Sequence, residues 1–148
     1  MEAVERAFRA LDEGIADYLA RKGIRPSCGP GCFACCYGWV TASRLEAQAL
    51  LPHLTEAQKA RVLEEGPRRL ALLAREKDDP GFSRRFFLSR SPCPLLEAGL
   101  CGVYAHRPLA CRGVLTDEDP AYCDPQNPHP PPELRKGFKL EERANFNK

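Results

Sequence analysis

The sequence predicts a small, mainly α domain with a short β-hairpin and irregular cysteine-rich loops. Three observations carry that expectation. Apolar residues recur at helical spacing over several stretches. Two helix starts are marked by capping boxes. The eight cysteines lie mostly in segments punctuated by Gly and Pro, where neither helical nor strand periodicity holds. At 148 residues the chain is expected to form one domain over 1–148. Hydrophobic residues make up 43% and charged ones 28%, which allows a core and argues against wholesale disorder. The net charge of +2 is too balanced to imply nucleic acid or a membrane surface as partner.

Val4, Phe8, Leu11, Ile15 and Tyr18 follow one another by steps of 4, 3, 4 and 3, an amphipathic helix that should end near Gly23. Its seam could form a coiled-coil dimer face. It is short for that, and packing on the domain's own core is the expectation. Pro26 to Gly38 is a turn-rich segment with four cysteines. Ser43-Arg-Leu-Glu46 reads as a capping box before a helix through about Leu51, and Thr55-Glu-Ala-Gln58 as a second one. The helix from Thr55 should run to about Glu65, break or kink at Gly66-Pro67, and resume to about Lys77. Asp78-Asp-Pro-Gly81 is a turn, and Phe82 to Ser89 a short helix. Leu95-Leu96 and Leu100 to Tyr104 flank Glu-Ala-Gly, a tight hairpin. Pro108 to Gly113 suits a short helix with proline in its first turn. The stretch 124–132 holds five prolines and should be extended, polyproline-like chain.

Compartment decides how the cysteines read. No apolar run approaches a membrane span, and the acidic start Met1-Glu-Ala-Val-Glu lacks the apolar region of a signal peptide. A cytoplasmic location is therefore expected. Thiols there stay reduced, so metal binding or redox chemistry is favoured over four disulfides. Cys28, Cys32, Cys35 and Cys36 form one cluster, and Cys93, Cys101, Cys111 and Cys123 follow at steps of 8, 10 and 12. Cys35 and Cys36 are adjacent, so their side chains should diverge and serve two ions, or one through a distorted loop. The first cluster is not expected to close a site alone, and the second group would tie the ends of the domain together. Thiolate ligands carry negative charge, which Arg107 and Arg112 are placed to offset. All-thiolate ligation suits zinc or an iron–sulfur cluster. Eight thiols fit two zinc sites of four, or one four-iron cluster with thiols to spare.

Other chemistry is thin. His53 and His106 are expected to face solvent, and His129 lies in the proline-rich tail. Trp39 should pack near the site. Tyr104 should pack there too. No Ser/His/Asp set, phosphate loop or carboxylate pair stands out, so no catalytic residue is assigned. The spacing Cys28-xxx-Cys32-xx-Cys35 matches a radical-SAM cluster signature, but the βα alternation that would build the required barrel is missing.

Cys28-xxx-Cys32-xx-Cys35-Cys36, then Cys93-Pro, then Cys101-Gly-Val-Tyr104, Arg107-Pro108 and Cys111-Arg112 resemble the YkgJ-like cysteine-cluster family, whose signature is CxxCxxCC. The likeness runs from Cys28 to Asp124 and includes Cys123-Asp124. Three residues rather than two separate Cys28 from Cys32. The resemblance implies a zinc- or iron-chelating domain with ligands drawn from Cys28, Cys32, Cys35, Cys36, Cys93, Cys101, Cys111 and Cys123, and at the family level it would have Tyr104 donate its hydroxyl to a thiolate. The expected partner is a metal ion, with an unidentified protein partner left open. Three roles compete: a structural metal supporting an interaction module, an Fe–S protein transferring electrons or assisting a partner enzyme, and metal trafficking or storage.

Overall fold

The computed structural model describes residues 2–124. The proline-rich stretch beyond Asp124, with His129, lies outside the described residues. The mainly helical class holds: the described residues form five α-helices and one two-stranded antiparallel hairpin.

Helix α1 (Glu2–Lys22) ends as the glycine predicts. Gly23 takes φ +65, and Gly23 N and Ile24 N donate to the carbonyls of Ala20 and Leu19, at 3.2 and 3.0 Å. These two bonds satisfy carbonyls that the helix end would orphan. The apolar face buries Phe8 and packs on α2 (Arg44–Leu50) and α5 (Leu109–Arg112).

Both capping boxes form. Ser43 N donates to Glu46 Oε2 at 2.8 Å and Glu46 N to Ser43 Oγ at 3.2 Å. The other Glu46 oxygen accepts from Leu109 N at 2.9 Å, so the cap of α2 also fixes the start of α5. Thr55 and Gln58 do the same for α3 (Glu56–Glu76). Of the break or kink expected at Gly66-Pro67, the break does not occur: α3 runs on through Pro67 to Glu76, close to the expected end near Lys77. Proline removes one N–H from the ladder, but helix on both sides holds the register.

Helix α3 is fastened to the segment after α4 (Phe82–Leu88) by polar side chains. Arg61 Nε donates to Pro94 O at 2.8 Å and Arg69 Nη2 to Pro92 O at 2.6 Å. Arg61 also pairs with Glu97, and the buried Gln58 side chain reaches the same carboxylate at 3.2 Å. The close approach explains Gly102. A Cβ there would lie 2.5 Å from Gln58 Nε2 and 3.0 Å from Leu95 O.

Strands β1 (Leu96–Glu97) and β2 (Leu100–Cys101) pair with Leu96 opposite Cys101. The two-residue turn takes positive φ at both positions, 48° at Ala98 and 75° at Gly99, which matches the twist of the strands.

The apolar core is thin. Among the described residues its buried members are Phe8, Ala49, Phe82, Phe86, Leu95 and Val103, and no side chain is below 2% exposed. Trp39 meets Phe82 and Phe86 edge-on at 4.8 and 4.9 Å, in line with a packing role. No helix among the described residues is long and apolar enough to cross a membrane.

Candidate metal centre

Short turns, not long elements, position the cysteines. Gly31 at φ +84 lets the chain double back so that Cys32 N reaches Gly29 O at 3.0 Å. A 3₁₀ turn over Ala34–Tyr37 follows, carrying Cys35 and Cys36. Cys36 O accepts from Cys93 N at 2.7 Å, which joins the two halves of the cysteine set through the main chain. Cys93 leads into β1, and Cys101 sits on β2. Cys111 lies in α5, whose first turn closes when Cys111 N donates to Pro108 O at 2.9 Å. Cys28 is anchored elsewhere: Ser27 N donates to Thr116 O at 2.7 Å and Thr116 N to Cys28 Sγ at 3.4 Å. A last 3₁₀ turn, Pro120–Cys123, packs on the turn of Cys35 and Cys36.

All eight thiols are free of disulfides, and Cys35 is the exposed one. Cys35 and Cys36 do not diverge. The tight turn brings their side chains into hydrogen-bond contact, which drives their acidities apart. The bond from Cys36 lowers Cys35 to about 6, against burial and with help from Arg107. The same bond, then burial and the charges of Cys35, Cys93 and Cys101, push Cys36 far up. Burial raises Cys111 to about 11, with Cys93, Cys35 and Cys101 adding to it. Burial also raises Cys93. Cys123 is raised by burial and by Cys32, Cys28 and Cys35. Cys32 is raised by burial, Cys28 and Cys35, while backbone bonds from Ala34 and Gly29 oppose the rise.

The arginines divide differently from expectation. Arg107 favours the charged forms of Cys35 and Cys111, and its guanidinium lies 3.7 Å over the Tyr104 ring. Arg112 is occupied elsewhere. It is 7% exposed, and it bonds Asp12 at 2.5 Å, Arg107 O at 2.7 Å and Ala105 O at 2.7 Å, over the ring of Phe8. It clamps α1 onto the loop before Cys111. Arg69 acts on Cys93 instead. No local pattern could flag Arg69, since α3 delivers it from distant sequence. The Nε atoms of Arg69 and Arg107 are both buried without a hydrogen-bond partner.

Tyr104 is neither core nor aimed at a thiol bond; it is 54% exposed beneath Arg107. His53 is exposed, whereas His106 is half-buried and stacks on it, ring centres 3.4 Å apart. Burial, then His53 and Arg112, hold His106 below the usual imidazole range, against Glu5.

The donor set suits a thiophilic ion, since sulfur ligands select zinc and iron and hard cations take oxygen. As the side chains stand, no group of three or more His, Cys, Asp or Glu among the described residues is arranged to hold an ion.

No curated protein and no solved structure matches the chain. A family model does match, over residues 27–127, under the description "CxxCxxCC: Putative zinc- or iron-chelating domain". That span takes in every cysteine, and it supports metal binding as the general activity. With more than half its length matched and its thiols gathered from both ends of that span, the chain belongs to the CxxCxxCC family.

Proposed function

We propose that this chain binds zinc or iron through cysteine thiolates and that the metal is mainly structural. The observation that carries the reading is the gathering of thiols from residues 28–36 and 93–123 over a thin apolar core. Six buried apolar residues among the described ones make a thin core, and a thiolate–metal centre supplies folding energy directly. Cys32, Cys35, Cys36, Cys93, Cys101 and Cys111 are the central ligands, with Cys28 and Cys123 completing the set. Zinc fits first: it takes four thiolates in a closed, redox-silent site, and eight thiols supply two such sites.

Anaerobic purification with metal and sulfide analysis and a visible spectrum tests the reading. Colourless protein with stoichiometric zinc is the expected result. Brown protein with iron and sulfide would replace zinc by an iron–sulfur cluster and an electron-transfer or enzyme-accessory role. Protein that takes up neither metal would end the proposal.

A further inference from the structure

We propose that the outer face of α3 is the contact surface of a parallel dimer with a second copy of this chain. The proposal goes beyond the metal-binding reading and does not depend on it.

Helix α3 is apolar on a face that the domain leaves bare. Ala60, Leu63, Pro67, Leu70 and Ala74 follow one another by steps of 3, 4, 3 and 4, and all five are exposed. Leu63 at 75% and Leu70 at 68% are the two most exposed large apolar side chains among the described residues. Alternating steps of 3 and 4 hold one stripe of a helix against a partner helix. A helix that packs only on its own core turns its apolar stripe inward. Rotation cannot do that here, because the opposite face of α3 is tied down. Gln58 is buried and bonds Glu97, Arg61 holds Pro94 O, and Arg69 holds Pro92 O. The similar spacing on α1 is used within the domain, where Phe8 is buried and the helix packs on α2 and α5.

The charges beside the stripe select the occupant. With Leu63 and Leu70 at the d positions of a heptad, Lys59 falls at g and Glu64 at e. In a parallel pair, a g residue faces the e residue five places further along the other helix. Lys59 thus meets Glu64 of the second copy, and two-fold symmetry makes the pair twice. Within the chain, Lys59 pairs with Glu56 at the exposed helix start, and Glu64 has no ion pair among the described residues. The next g and e positions, Gly66 and Ala71, carry no charge, so nothing repels there. An antiparallel pair would set g against g and e against e, and Lys59 and Glu64 would lose each other. Glu56 and Lys77 end the stripe and meet their own copies at its exposed ends, where water and salt screen them.

Sedimentation of the full chain over a concentration series tests the proposal, with metal content and thermal midpoint read on the same samples. Wild type should form a dimer. Leu63→Glu/Leu70→Glu should be monomeric with unchanged metal content, since neither side chain supports the fold. Lys59→Glu should weaken the dimer at low salt, and the swap Lys59→Glu/Glu64→Lys should restore it, which a fold defect would not allow. If the leucine variant fails to fold, the charge swap still decides. A monomeric wild type overturns the proposal, and so does a dimer that survives the leucine variant. A swap that leaves the dimer weak overturns the parallel pairing. Each of these outcomes is read from mass, whereas the metal-binding reading stands or falls on metal content.

Discussion

Single residues here work by connecting distant segments. Glu46 closes its own helix cap and holds Leu109 N, and Arg112 binds α1 to the loop before Cys111. His106 does so through a ring. Its stack on His53 joins the 3₁₀ turn Leu51–His53 that follows α2 to the turn before Arg107, with Arg112 and Glu5 also facing it. A histidine whose folded pKa is depressed is neutral in the fold while the unfolded chain takes up a proton. Its contribution is therefore complete above the unfolded value of 6.5 and is lost as pH falls through it. His106→Phe keeps a flat ring and cannot titrate. Urea unfolding of wild type and variant between pH 7.5 and 5.5, at fixed metal, should show a shallower loss of stability in the variant. Identical slopes would remove the stack from the pH response.

At the scale of elements, α3 decides between two alternatives. Gly66-Pro67 reads as a break or a kink in any local window, and Glu56–Glu76 is one helix, without the break. A Cβ at Gly66 meets nothing within 4 Å. Gly66→Ala should therefore stabilise the protein by about 0.5–1 kcal/mol, and Pro67→Ala should too by restoring a ladder donor. Thermal melting checks both, and a lowered midpoint in either variant would mean the pair is needed as it stands. The elements legible in the sequence are those written in local chemistry: the caps at Ser43 and Thr55, the stop at Gly23, the hairpin at Ala98-Gly99. The short turns that carry Cys35 and Cys123 have no periodic signature. The site was legible as a set of thiols but not as a grouping. Which thiol neighbours which depends on contacts such as Cys93 N to Cys36 O, between residues far apart in sequence.

For the whole molecule, the proposed structural metal would stand beside a small core. Structural zinc contributes on the order of 10–16 kcal/mol in small metallo-domains, comparable with the roughly 5–15 kcal/mol by which a typical domain is stable. Chelation should therefore cost the cysteine-bearing segment its fixed packing. Trp39 reports this directly, being the single tryptophan and seated against Phe82 and Phe86. Its fluorescence should shift on metal removal and return on adding zinc. A spectrum and melting curve unchanged after complete metal removal would reduce the metal to a passenger. One geometric fact has a different consequence. The bond from Cys93 N to Cys36 O pinches the chain where α2, α3 and α4 leave the cysteine scaffold and return to it. The three helices are thus an excursion from a fixed gate. Lengthening a closed loop costs little, about 0.6 kcal/mol for each doubling. The connecting turns of the excursion can accordingly lengthen at little cost, whereas its helices cannot be exchanged freely, because Glu46 holds Leu109 N and Arg69 holds Pro92 O beside Cys93.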